Sequence, residues 1–280
     1  MFVHFGPRRG GQIYTVAKGP TKLNLEQQPN SINAQQYPIF LQYLVNLKAE
    51  RSFARDDDDN ATAESLDKWF DAFEGVLKDI YGADVTLEFD RKDWNFYLNM
   101  EGYERFDLNH LSDGYSAIIH IISELLLRMD KYKYFNHEMQ GVVLIDEIET
   151  HLHIELQKKI LPFLTAFFPK IQFIVTTHSP FVLSSINNAV IFDLEKKERV
   201  EDLSGYSVEN IIESYFDADQ YSEFVKTRVK EYEALSEKQN RSQLENNRFS
   251  ELEAYFNKFP LNFAPELSLK INNIRLKKIA

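Results

Sequence analysis

Val142-Val143-Leu144-Ile145-Asp146-Glu147 is the stretch that decides the fold. Its four apolar residues, three of them β-branched, predict a strand buried on both faces, as in a parallel sheet. Such a strand gains no stability from ending in two adjacent carboxylates. In open α/β sheets, ligands bind at the carboxyl ends of the strands. Paired acids there suit a magnesium ion and an attacking water in phosphoryl transfer. Downstream, Ile174-Val175-Thr176-Thr177-His178-Ser179 repeats the arrangement. A strand expected over 171–176 ends in polar residues and brings His178 to the same edge. Upstream, LSDGYSAIIHIISELLL runs from Leu111 to Leu127. Its Ser-Asp-Gly turn opens a strongly apolar helix expected over 115–130. Such an opening offers backbone N–H groups and the positive end of the helix dipole to an anion.

The three stretches together resemble the C-terminal half of an ABC-class ATPase. Leu111-Ser112-Asp113-Gly114-Tyr115 resembles the signature motif usually written LSGGQ, with Asp113 in place of glycine and Tyr115 in place of glutamine. Val142 to Glu147 resembles the Walker B strand followed by the catalytic glutamate. Glu149-Thr150-His151-Leu152-His153 sits where the D-loop belongs, and His178 matches the switch histidine. The wording DEIETHLH and TTHSP is similar to that of the bacterial OLD, RecF and SMC-like ATPases, including those of Septu and retron phage-defence systems. The likeness is dense from Leu111 to Leu194. It implies a P-loop NTPase fold of ABC type: a mostly parallel sheet flanked by helices, with a helical insertion and a helical C-terminal region.

The resemblance implies ATP and Mg2+ as cofactors and assigns roles. Asp146 holds Mg2+ through a water. Glu147, expected in a buried setting beside it, orients or deprotonates the attacking water, and His178 contacts the γ-phosphate or that water. Ser112, Asp113 and Gly114 contact the γ-phosphate of a nucleotide held by a second subunit, with Gly114 permitting close backbone approach. Plainer readings stand beside these: a solvent-exposed acidic strand end, a structural histidine, and a simple N-cap at Ser112 or Asp113. Each explains one residue and none explains the order of all three motifs. His151 and His153 are two apart, so they cannot share a helix face, and no cysteine exists to complete a zinc site.

The phosphate-binding pattern G-x-x-x-x-G-K-[ST] does not occur. The nearest glycine pair, Gly10-Gly11, is not followed by Lys-Ser or Lys-Thr. In the family that loop precedes the signature motif. The intact Ser112, Asp146, Glu147 and His178 favour a fragment over a degenerate homologue, so this chain alone is expected not to hydrolyse ATP at a useful rate.

The 280 residues allow one or two domains with a sizeable core. The absence of cysteine excludes disulfides, and no signal peptide or membrane-length apolar run is visible, so a cytoplasmic location without a membrane partner is expected. A net charge of −11 argues against broad nucleic-acid binding, and any DNA contact must be local, transient or supplied by a partner. The small basic spots, Arg8-Arg9 and Arg275, Lys277 and Lys278, read as solvated ends.

Four regions are expected: 1–36, the remnant of an N-terminal lobe; 37–110, a helical insertion and hairpin; 111–205, the ATPase core; and 206–280, a helical region. Helices are expected over 37–55 and 63–81, the second with an aromatic stripe, Trp69, Phe70 and Phe73, that reads as core. The acidic run Asp56 to Asp59 reads as an exposed loop. Strands over 85–89 and 94–100 read as a hairpin. Pro162 should kink or split a helix over 152–168, and a strand is expected over 189–194. The seam Phe224, Val225, Val229, Tyr232 and Leu235 suits packing on the core or pairing with another chain.

Two classes of function follow. The first is an ATPase that dimerises around ATP as a homodimer or higher oligomer and signals to an effector. By resemblance, that effector is an HNH-type nuclease in an antiphage system. The second is a non-hydrolysing scaffold. A DNA-repair ATPase of RecF or SMC type is a further alternative, which the acidic charge and the lack of long coiled-coil arms disfavour.

Overall fold

In the computed structural model, residues 1–9, 14, 15, 17–23, 32, 33, 36–131, 140–200, 202–216, 221–258 and 265–277 are described. Gly10, Gly11 and Lys278, singled out above, lie outside them. The elements in order are β1 (Phe2–Phe5), a 3-10 turn (Tyr37–Ile39), α1 (Phe40–Asp56), α2 (Asn60–Tyr81), β2 (Val85–Asp90), β3 (Asn95–Met100), β4 (Phe106–Asp107), α3 (Asp113–Lys131), β5 (Gly141–Ile145), α4 (Ile154–Phe167), β6 (Ile171–Val175), α5 (Pro180–Leu183), β7 (Ile191–Asp193), β8 (Glu198–Val200), α6 (Val208–Asn210), α7 (Glu223–Glu237), α8 (Gln243–Lys258) and α9 (Pro265–Lys277). The chain divides into two compact units, Met1–Val208 and Glu209–Ala280.

In the first unit, β5 is the central strand of a parallel sheet ordered β1-β5-β6. Val3 pairs with Val143 and Phe5 with Ile145, so the four share one face, and all are buried. On the other face His4, Leu144 and Ile174 align, and this face is only partly covered among the described residues. The burial expected on both faces therefore holds for one. Strand β7 pairs antiparallel with β8 and stands outside the parallel sheet. Helix α4 runs through Pro162 without being split. The hydrogen bond that proline removes is the one to the carbonyl of Lys158, an exposed residue.

Helix α3 is buried over most of its length. Ile118, Ile119, Ile121, Ile122, Leu125, Leu126 and Leu127 are buried, as a core helix requires. Its fully buried acid Glu124 is compensated. Oε2 accepts from the backbone N–H groups of Gln36 (2.5 Å) and Tyr37 (2.9 Å), and Oε1 accepts from Arg128 Nε at 2.7 Å. Glu124 thereby fixes the entry to α1. The aromatic stripe of α2 packs inward: Phe73 lies 5.5 Å from both Phe40 and Trp69, ring centre to ring centre. The acidic run is exposed and ends in a cap, with the Asp59 side chain accepting from Thr62 N. Strands β2 and β3 form the expected antiparallel hairpin.

In the second unit α7, α8 and α9 enclose their own core of Val225, Val229, Tyr232, Phe249, Phe256 and Ile271. The seam of α7 is thus occupied within its unit, and Phe224 is left exposed. Arg248 bridges α8 to Glu231 of α7 through two hydrogen bonds of 2.8 Å.

His120 of α3 is buried between Phe5 and Tyr37. Burial, reinforced by the nearby Arg9 charge, depresses its pKa to about 4. Below the ordinary histidine value of about 6.5 the unfolded chain binds this proton and the folded one does not. Stability therefore falls as pH drops from about 6.5 towards 4, by at most about 1.4 kcal/mol per pH unit. Urea denaturation across this range should show that slope, and His120→Leu should flatten it.

Candidate functional site

The parallel register of β5 and β6 makes the residues that follow them neighbours. Thr176 N donates to Ile145 O (3.0 Å), Glu147 N to Thr176 Oγ1 (2.8 Å) and Ile148 N to Thr176 O (3.1 Å). His178 N donates to Glu149 Oε1 at 2.6 Å. Asp146, Glu147, Glu149, Thr176 and His178 therefore occupy one carboxyl edge of the sheet.

Strand β1 brings a further member. Nε2 of His4 lies 3.0 Å from Asp146 Oδ2, and Nδ1 lies 3.2 Å from Asn33 Oδ1. The hydrogen bond to Asp146, then the one to Asn33, raises the histidine pKa above its ordinary value. The Asp146 side chain remains 47% exposed. Glu147 is exposed, not buried as expected, because the chain turns outward as it leaves β5. Its φ of +46° is left-handed, as is the +68° of His151. For residues other than glycine this conformation costs about 1–2 kcal/mol each, and such strain persists only where the surroundings impose it. Thr150 Oγ1 donates to Glu147 Oε2 at 3.3 Å.

Arg9, like His4, is a residue that sequence reasoning missed. Instead of forming a solvated end it is 1% exposed. Nη1 donates to Gly6 O (2.5 Å) and Asp146 O (2.6 Å), and Nη2 donates to Glu147 O (2.6 Å). Burial lowers its proton affinity, while Glu149, Asp146 and Glu147 oppose that shift. The signal for its role is its place just past a strand parallel to β5. That pairing joins distant parts of the chain and cannot be read from local pattern.

At the opening of α3, Ser112 and Asp113 are exposed and Gly114 is buried. Gly114 departs from the exposed helix opening expected of it. A Cβ there would meet the carbonyl oxygen of His151 at 2.9 Å, so the absence of a side chain lets the 149–153 loop pack on the helix. Tyr115 stacks on Tyr81, with ring centres 4.1 Å apart, and meets His153 edge-on. No hydrogen bond joins Ser112 to Glu147 among the described residues. The Asp113 carboxylate lies in the first turn of α3, where the dipole favours negative charge.

Among the described residues no group of three or more His, Cys, Asp or Glu is placed to hold a metal ion. Asp146 nevertheless fits the way Mg2+ is commonly bound, through one or two carboxylates with water and substrate phosphates completing the shell. No described helix is long and apolar enough to cross a membrane. Gly114→Ala should destabilise the chain by about 1–3 kcal/mol in urea denaturation, since helix or loop must shift to admit the methyl group. An unchanged midpoint would show that the loop yields freely.

The family model described as "AAA domain, putative AbiEii toxin, Type IV TA system" matches residues 22–184, more than half of the chain. Over 117 residues the chain is 38% identical to the Septu protein PtuA of Bacillus mycoides (strain KBAB4), covering 39% of this chain and 16% of PtuA. Over 113 residues it is 34% identical to the retron Ec83 probable ATPase of Escherichia coli, covering 37% of this chain and 21% of that protein. The chain therefore spans only a minor part of the length of these relatives. A solved structure of an SMC ATPase, described for ATP-driven dimerization and DNA-stimulated activation, covers 58% of this chain and 99% of its own with a TM-score of 0.38 and 14% identity. The chain belongs to this AAA-domain family and is similar, over a part of their lengths, to the Septu protein PtuA and the retron Ec83 probable ATPase.

Proposed function

We propose that this chain supplies the hydrolytic edge of an ATPase that binds ATP with Mg2+ and dimerises around the nucleotide. The observation that carries the reading is the lacing of the Asp146-Glu147 turn to the Thr176–His178 loop at one sheet edge. Asp146 holds Mg2+, which when bound offsets charge on the phosphates. Glu147 is exposed, so it can reach an attacking water and accept its proton. His178, also exposed and anchored by its backbone to Glu149, orients the γ-phosphate or that water. The exposed Ser112 and Asp113, with Gly114 holding the turn against the 149–153 loop, face a nucleotide bound by the partner copy. By the resemblance to Septu and retron proteins, opening and closing of the dimer controls an effector, an HNH-type nuclease, in cytoplasmic antiphage defence.

The test uses a form of the protein that carries a G-x-x-x-x-G-K-[ST] loop. There, Glu147→Gln keeps shape and hydrogen bonding but removes the base. Turnover should fall by about 100-fold or more, and light scattering with ATP and Mg2+ should show a dimer that persists. Normal turnover, or a variant that stays monomeric with ATP, counts against these roles and favours the scaffold.

A further inference from the structure

We propose that Arg9 is a positioning residue: its buried guanidinium sets the backbone angles of Glu147 and so the direction in which the Asp146 and Glu147 carboxylates are presented. The functional half of this inference rests on the reading of those acids as hydrolytic, and the structural half does not.

The geometry is specific. Two peptide planes flank the Cα of Glu147. The plane before it carries Asp146 O, which accepts from Arg9 Nη1, and Glu147 N, which donates to Thr176 Oγ1. The plane after it carries Glu147 O, which accepts from Arg9 Nη2, and Ile148 N, which donates to Thr176 O. Each plane is held at both ends, by Arg9 on the oxygen side and by Thr176 on the nitrogen side. With both planes fixed, φ and ψ of Glu147 are fixed too, and the left-handed φ of +46° is imposed from outside. A planar fork can grip two carbonyls in one geometry, and a lysine ammonium on a flexible stem cannot.

The charge is also placed to purpose. Three carboxylates, Asp146, Glu147 and Glu149, fall within four residues and repel one another. A buried cation is tolerated only with close partners, and here those carboxylates are near enough to favour the charge of the guanidinium. Glu149 in turn binds His178 N. One side chain from just beyond β1 therefore holds the turn after β5 and lies within electrostatic reach of the acid that anchors the loop after β6. Among the described residues its Nε has no partner, and the grip is made through the two terminal nitrogens.

Arg9→Met and Arg9→Lys in the full chain test this by amide hydrogen exchange. In Arg9→Met, exchange at Glu147, Ile148, Thr150 and Leu152 should rise by about tenfold or more, while Val143, Ile145 and the α3 amides keep their rates. Arg9→Lys should fall between. Unchanged exchange in the 147–152 turn overturns the proposal. A rise of equal size in the turn, β5 and α3 also overturns it, because Arg9 is then only an anchor of the whole fold. If Arg9→Met does not fold, Arg9→Lys is judged by the same pattern. In the form carrying the phosphate loop, Arg9→Lys should lower kcat by about tenfold or more with KM for ATP unchanged. Wild-type kcat in that variant overturns the proposal. If the wild-type form itself hydrolyses no ATP, the ATPase reading fails, and the exchange pattern alone supports or overturns the structural half.

Discussion

The parallel pairing of β5 between β1 and β6 is the constraint on which the rest of the site depends. In a parallel sheet all strands run the same way, so everything that follows them emerges at one edge. The pairing of Phe5 with Ile145 and of Ile145 with Val175 fixes how far each strand reaches. A one-residue slip would move every side chain to the opposite face. His4 would leave the Asp146 side of the sheet, and Val143 and Ile145 would leave the core. Burial of Val3, Phe5, Val143 and Ile145 therefore sets the register, and the register sets the chemistry.

Helix α3 ties this edge to the rest of the unit. A chain of polar contacts runs from Asp146 to His4, from His4 to Asn33, from the Asn33 carbonyl to Arg128, and from Arg128 to Glu124. Glu124 ends it at the backbone of Gln36 and Tyr37, where α1 begins. The buried Glu124 end of this chain would be costly if left unsatisfied. The acid at the strand end and the entry to the helical segment are therefore held by one connected set of bonds. The same helix meets the 149–153 loop at its opening, where Gly114 admits the His151 carbonyl.

Strain and charge gather at the edge proposed to be hydrolytic. Two left-handed residues that are not glycine, Glu147 and His151, bracket the loop between β5 and α4. Three acids, Asp146, Glu147 and Glu149, interact there with the buried Arg9. Structures tolerate such arrangements where neighbouring bonds over-determine them, and Arg9, Thr176 and Glu149 supply those bonds here.

The sequence by itself determined the elements and the edge. The apolar run of Val142 to Ile145, the strongly apolar stretch of α3 and the alternating strands over 85–89 and 94–100 are local patterns, and local patterns carry period and burial. The acids after one strand and the histidine after its neighbour were legible for the same reason, as was the aromatic stripe of α2. Only the tertiary structure decided which side chains support them. Arg9 and His4 act across more than 130 residues through a strand pairing, and no periodicity in Gly-Pro-Arg-Arg distinguishes a buried guanidinium from a solvated one. Gly114 looked like a free anion site because its own helix leaves the N–H groups open; the loop packed upon it comes from another part of the chain. Glu147 looked buried because its strand is buried, and the turn that exposes it is set by contacts with Arg9 and Thr176. In each case the deciding contact is between residues distant in the chain, and local sequence contains no record of it.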